Sequence, residues 1–196
     1  MSLNPKILFF DEPSAGLSPK AAAEVLDMAR GLTRDQVIND VLLAKQPGRY
    51  IGWPTVARTR GGELIVAFSG DREAHVCPFG KTQIVRSRDN GKTWSEPYET
   101  PLWGFPPHLL QLSDGRILCS YGYRRAPYGQ RVCISDDGIT WTSLVKGEPV
   151  LESEYRKIVA SVVEVDSQLY LYFTEWDYMH GIARGIGIVT GTITWN

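Results

Sequence analysis

Ser87-Arg-Asp-Asn-Gly-Lys-Thr-Trp94 decides the reading of this chain, because its core returns at Asp136-Asp-Gly-Ile-Thr-Trp141. The shared pattern is Asp-x-Gly-x-Thr-Trp, at Asp89, Gly91, Thr93 and Trp94 and again at Asp136, Gly138, Thr140 and Trp141. Gly permits the positive φ of a tight turn, Asp accepts backbone hydrogen bonds within it, and Trp anchors the turn on a sheet. The pattern therefore predicts a turn between two strands, and its weight is structural rather than catalytic.

Outward from these turns the repeat widens. Pro54 to Phe68 aligns without gaps onto Pro107 to Tyr121, and Ser161 to Phe173 is a third copy with one residue deleted at the turn. Each copy reads strand, Gly or Asp turn, strand, which is a hairpin. A second hairpin follows the first two, at Thr82 to Trp94 and at Gln130 to Trp141; of the third, only Thr194-Trp195 remains. A hairpin pair at a fixed period is the signature of a repeat architecture. The composition agrees: six Trp, nine Tyr and 19 Gly favour many short strands over helices.

The turns are Asp boxes, Ser-x-Asp-x-Gly-x-Thr-Trp, complete at Ser87 to Trp94 and lacking only the leading Ser when the second is read from Ile134 to Trp141. On these residues the region from about Asp40 to Trp195 resembles the sialidase-like six-bladed β-propellers, whose blades are four-stranded sheets of about 50 residues. The resemblance implies an all-β fold: a partial, about three-bladed propeller over residues 47–196, preceded by a linker over 33–46 and a short strand-helix segment over 1–32.

Antiparallel geometry says which loops share an end. Within a blade the 1-2 and 3-4 turns lie together, so the 2-3 loop and the approach to strand 1 lie at the opposite end, away from the Asp boxes. That end gathers Asp71, Arg72, Glu73, His75, His108, Tyr123, Arg124 and Arg125, with a third loop running from Glu175 to Arg184. Arg is the natural carboxylate clamp because its planar fork makes two parallel charge-assisted hydrogen bonds. The competing reading is solvated loop charges of little consequence.

Sialidases use a Tyr nucleophile activated by Glu, an Asp acid/base and three Arg on the substrate carboxylate. The resemblance implies Asp71 as acid/base, in the loop after strand 2 of the first blade, with Arg72, Arg124 and Arg125 holding an acidic sugar. The family's Arg-Ile-Pro opening falls on Gly52-Trp53-Pro54, so its first Arg is absent. Its Tyr position falls on Ile158, with Tyr155 three residues away, and no Glu matches the activating position. Two functions follow: a sialidase-like glycoside hydrolase, or a truncated relative, acting on acidic or other terminal sugars, and a non-catalytic glycan-binding or structural fragment.

The first 32 residues read differently. Ile7-Leu-Phe-Phe-Asp-Glu-Pro-Ser-Ala-Gly-Leu-Ser-Pro19 resembles the Walker B strand and D-loop of ABC-type ATPases, which implies magnesium for Asp11 and water positioning for Glu12. Phosphoryl transfer also needs a Gly-rich phosphate cradle with its Lys, and no GxxxxGK[ST] occurs in the chain. ATP hydrolysis is not expected. The segment reads as a relic, a fusion join or an appendage.

With 21 basic and 22 acidic residues and a net charge of -1, no nucleic acid or anionic membrane is expected as a partner. The apolar runs are strand-sized, and no leader pattern is present, which by default assigns the cytoplasm. Cys77, Cys119 and Cys133 lack metal-ligand spacing, so buried free thiols and neither metal nor cofactor are expected. About 150 residues make three blades, whereas a closed six-bladed ring needs about 300. Open blade faces and strand edges predict either pairing of two copies into a homodimer, three blades plus three, or marginal stability.

Overall fold

The computed structural model describes residues 42–75, 77–144, 151–152, 156–177 and 182–192. The chain divides into two compact units, Met1–Leu42 and Leu43–Asn196. The strand-helix expectation for 1–32, Asp11 and Glu12 included, lies outside the described residues, as does most of the 33–46 linker.

Among the described residues every regular element is a strand. Blade 1 is a four-stranded sheet of β1 (Tyr50–Arg58), β2 (Leu64–Arg72), β3 (Lys81–Ser87) and β4 (Tyr98–Glu99), paired in chain order. Blade 2 repeats it with β5 (Pro107–Gln111), β6 (Ile117–Tyr123), β7 (Gly129–Ser135) and β8 (Thr142–Ser143), and β9 (Leu151–Glu152) adds to the same edge of β7. Blade 3 comprises β10 (Arg156–Val165), β11 (Gln168–Asp177) and β12 (Ile182–Thr192). All pairings are antiparallel.

The first hairpin of each blade shows why one residue is missing from the third copy. Blades 1 and 2 turn through Gly62 and Gly115, both at φ 87. Blade 3 turns in two residues, Asp166 and Ser167, at φ 49 and 63. Two successive left-handed residues make the turn whose twist matches that of the flanking strands, and Asp is among the few residues other than Gly that tolerate the first position.

Period-2 alternation gives each blade two faces, and the blades stack through them. Ala57, Ile65, Ala67 and Ile84 of blade 1 pack on Leu109, Ile117, Cys119, Tyr121 and Cys133 of blade 2. Residues one step over in blade 2, Leu118, Val132 and Ile134, pack on Val162, Leu169 and Leu171 of blade 3. Polar ties cross the same seams. Tyr98 Oη donates to the Gly138 carbonyl at 2.7 Å, Arg86 Nη2 to the Asp137 carbonyl at 2.7 Å, and the Ser113 hydroxyl and backbone amide to Glu164 at 2.8 and 2.7 Å. Cys119 and Cys133 are direct register partners, and all three cysteines are free and buried, as expected.

The turn over Ser87 to Trp94 is closed by its own side chains. Asp89 accepts from Ser87 Oγ at 2.9 Å, from Thr93 N at 2.8 Å and from Thr93 Oγ1 at 2.6 Å, while Trp94 Nε1 donates to the Gly91 carbonyl at 3.1 Å. The second box corrects the sequence assignment. Asp137, not Asp136, accepts from Ser135 Oγ at 3.0 Å, Ile139 N at 2.7 Å and Thr140 N at 2.8 Å. Asp136 is exposed. The leading Ser is therefore Ser135, whose Oγ also accepts from Gly138 N at 2.7 Å, and this box is one residue shorter. The first box needs Asn90 and Gly91 left-handed, at φ 63 and 86; the second needs only Gly138, at φ 69.

Candidate functional site

At the end opposite the Asp boxes, the loops of blades 1 and 2 converge on Arg72, the last residue of β2. Its guanidinium carbon lies 4.0 Å from the centre of the Trp53 ring, 4.5 Å from Tyr50 and 5.0 Å from Phe105, and its Nη1 donates to the His75 carbonyl at 2.6 Å. Trp53 and Phe105 stack almost parallel, 5.6 Å apart with 3° between planes. His75 meets Trp53 edge-on at 5.0 Å, and its Nδ1 is 3.1 Å from Tyr50 Oη. A guanidinium against aromatic faces is attracted by the ring quadrupoles, more strongly once water is excluded. Here Arg72 is wholly buried.

Two β-bulges aim these side chains. The register of β1 with β2 slips between Tyr50 and Gly52, where β2 carries the extra residue, and again between Gly52 and Thr55, where β1 does. Asp71 and Trp53 sit in those bulges with left-handed backbone, at φ 54 and 56. A bulge re-aims a side chain and sharpens local twist, and a left-handed aromatic residue costs free energy that the surrounding structure must offset. The Arg72–Trp53–Phe105 stack supplies that offset. Asp71 is fastened on both sides: its amide donates to Gln46 Oε1 at 2.8 Å, and its carboxylate lies 3.3 Å from Arg49 Nε. Arg49 Nη1 reaches Glu73 at 3.3 Å, so one exposed guanidinium bridges two carboxylates.

Blade 2 contributes the other half. Arg124 is buried, with its guanidinium carbon 5.2 Å from the Phe105 centre, so Phe105 receives a cation from each blade. Arg125 projects outward between two further rings, 4.2 Å from Trp103 and 5.1 Å from Phe79, and its Nε donates to the Pro78 carbonyl at 3.0 Å. Tyr123 lies under the Arg131 guanidinium at 4.0 Å.

No family model matches the chain, and no curated protein matches it. Solved structures do. A protein of unknown function from Dyadobacter fermentans superposes with a TM-score of 0.54 at 22% identity, over 77% of this chain and 41% of its own. A Hadza microbial sialidase gives 0.53 at 17%, over 74% and 32%. An α-L-arabinofuranosidase of Fusarium graminearum gives 0.51 at 18%, over 74% and 45%. The fold is that of glycoside-hydrolase β-propellers. The chain spans less than half the length of each of these three.

The propeller brings together part of what its sequence points to. Asp71, Arg72, Glu73 and His75 share one loop cluster, and Arg124 joins it through Phe105. Arg72 and Arg124, expected to hold an acidic sugar, are 0% and 4% exposed, so neither presents an open fork. His108 does not join the cluster. It pairs with Ser120 on the face of β5 and β6 that carries Leu110 and Leu118 toward blade 3, and burial pushes its imidazole pKa down. Tyr155, Tyr178 and His180 lie outside the described residues. The loop pattern did not single out Arg49, Trp53, Trp103 or Phe105. Gln46, placed in the linker, also bonds Gln83 Oε1 through its Nε2 at 2.9 Å.

Proposed function

We propose that this chain is a glycan-recognising part of a sialidase-type propeller, with the Arg72 loop cluster facing a terminal sugar and Asp71 as acid/base of its hydrolysis. The observation that carries this reading is the pair of bulges that puts two left-handed residues, Asp71 and Trp53, at the same end of blade 1, where Trp53 meets the buried Arg72 guanidinium and Asp71 meets the exposed Arg49. Backbone strain concentrated at one loop cluster is a mark of a functional site, argued from the outlier to the function. Asp71 keeps about half of its side chain exposed and so can reach the leaving-group oxygen of a bound glycoside. Its carboxyl would protonate that oxygen as the glycosidic bond breaks, and would take its proton back from the water whose oxygen forms the new bond to the anomeric carbon.

A second reading, a non-catalytic glycan-binding or structural fragment, is favoured by the burial of Arg72 and Arg124, which spends both guanidinia on the fold. Either reading is compatible with a partner copy that completes the propeller. Turnover of a fluorogenic sialoside and a fluorogenic α-L-arabinofuranoside by wild type and Asp71→Asn separates the two. Asn is preferred to Ala because it tolerates left-handed backbone as Asp does. Turnover that disappears in Asp71→Asn supports the hydrolase. Absence of turnover in wild type, with saccharide binding retained, supports the binding module.

A further inference from the structure

We infer that a cleft beside the second Asp box, at the end of blade 2 opposite the Arg72 cluster, binds a basic amino sugar, a hexosamine whose ammonium meets Asp136. The inference is independent of both readings above.

Blades 1 and 2 carry opposite charges at the same two positions. Ser135 and Asp137 take the places of Ser87 and Asp89 in the box, so Asp136 stands where blade 1 has Arg88. Arg116, just before β6, stands where blade 1 has Glu63, just before β2; their carbonyls accept the same hairpin bond, from Leu112 N and from Thr59 N, both at 2.8 Å. In blade 1 the two side chains close on each other, with Arg88 Nε donating to Glu63 Oε1 at 2.6 Å. In blade 2 they stay apart. Arg116 Nε donates to Asp114 Oδ2 at 2.8 Å, and the exposed Asp136 carboxylate has no hydrogen bond or ion pair among the described residues. A cleft of about 430 Å³, lined by both, opens there.

The lining selects the ligand. The charge of Arg116 is matched by Asp114, so that of Asp136 is left over, and Asp137 adds a carboxylate whose hydrogen bonds come from uncharged donors. An ammonium placed there gains a charge-assisted hydrogen bond. Thr140 and Thr142 offer hydroxyls, each able to donate and accept, while Ile134 and Leu144 supply an apolar wall. A pyranose has the matching surfaces, a C–H face for the wall and hydroxyls for the threonines, and the cleft lies within the roughly 300–1,000 Å³ of small-ligand sites. A linear polyamine would satisfy the carboxylates and leave the hydroxyls unused.

The test titrates the full chain with the β-1,4-linked glucosamine trisaccharide at mildly acidic pH, where its amines are ammonium, and with its N-acetylated form, which keeps the rings and removes the charge. Wild type is expected to bind the amine about tenfold or more tighter than the acetylated form, as loss of a charge-assisted pair implies. Asp136→Asn should abolish that preference, and Asp71→Asn, at the other end of the blades, should leave it intact. Spermidine, a cation without hydroxyls, should bind more weakly than the amino sugar. Equal binding of the two saccharides by wild type, an undiminished preference in a folded Asp136→Asn protein, a preference lost in Asp71→Asn, or spermidine binding as tightly as the amino sugar overturns the site, as does binding of neither saccharide. The turnover test of Asp71 is read separately, so the hydrolase reading and this site can fail one without the other.

Discussion

Arg72 and Trp53 form the keystone of the candidate site: the guanidinium carbon lies 4.0 Å from the indole centre, wholly buried, beneath an aromatic residue in left-handed backbone. Either residue without the other is costly, one as a cation out of water and the other as a strained aromatic.

Arg72→Lys is therefore not conservative. Lys loses the planar stack on Trp53, Tyr50 and Phe105 and buries a more strongly hydrated charge. It is expected to destabilise the protein by about 2 kcal/mol or more. Arg72→Ala, which adds a cavity, should cost about 3–5 kcal/mol. At about 2–4 °C per kcal/mol for a chain of this size, thermal melts resolve both changes. An unchanged midpoint in Arg72→Ala would show that the stack does not hold the loops.

The two aspartates of the second Asp box should separate cleanly. Both aspartates are exposed, but only Asp137 accepts hydrogen bonds from Ser135, Ile139 and Thr140. Asp137→Ala is expected to cost about 1 kcal/mol by removing the bonds that close the turn, and Asp136→Ala to stay within about 0.5 kcal/mol. Chemical denaturation of the two variants checks this, and equal losses would restore the alignment in which Asp136 is the box residue.

Acid stability should report on the first box. The Thr93 hydroxyl and then the Thr93 amide hold the Asp89 carboxyl down at about 2, from an ordinary 3.8, with Ser87 assisting. A depressed folded-state pKa means that the unfolded chain takes up the proton first, so the contribution is complete above about 3.8 and is lost as pH falls toward 2. Wild type should lose stability through that window, and Asp89→Asn should lose less across it. Denaturation midpoints at pH 5 and pH 2.5 measure the difference, and parallel declines in the two proteins would remove Asp89 from the account.

Much of this architecture was legible in the chain. The repeated hairpins and the Asp-x-Gly-x-Thr-Trp turns depend on local rules of period, turn chemistry and positive φ, and they place the blades and the two ends. The one-residue contraction of the second box was not legible, because Asp136 and Asp137 are adjacent and only the hydrogen bonds say which closes the turn. The site was half legible: strand order put Arg72, His75 and Arg124 on one end. That Arg72 and Arg124 would be buried followed from Phe105 arriving out of the next blade, a contact between residues distant in sequence. The bulges at Trp53 and Asp71 were equally hidden, since they are properties of a register and not of a strand.

Blade 3 presents a face that the stacking pattern leaves ready for another blade. Register places Tyr172 opposite Ile188 and Thr174 opposite Ile186, with Val163 opposite Tyr170, all on the side away from Leu169 and Leu171. Ile186 is 87% exposed, Val165 51% and Ile188 50%, an apolar patch where blades 1 and 2 bury their counterparts. Blade-to-blade contact is the established mode of burial in this protein, so a second copy packing blade 3 on blade 3 about a two-fold axis would cover both patches at once. The expected species is a dimer by light scattering. Ile186→Lys with Ile188→Lys should convert it to a monomer and lower its thermal midpoint, because the stabilisation supplied by association is lost. A wild-type protein that stays monomeric across concentration, and a double variant indistinguishable from it, would mean that these isoleucines do not join two copies.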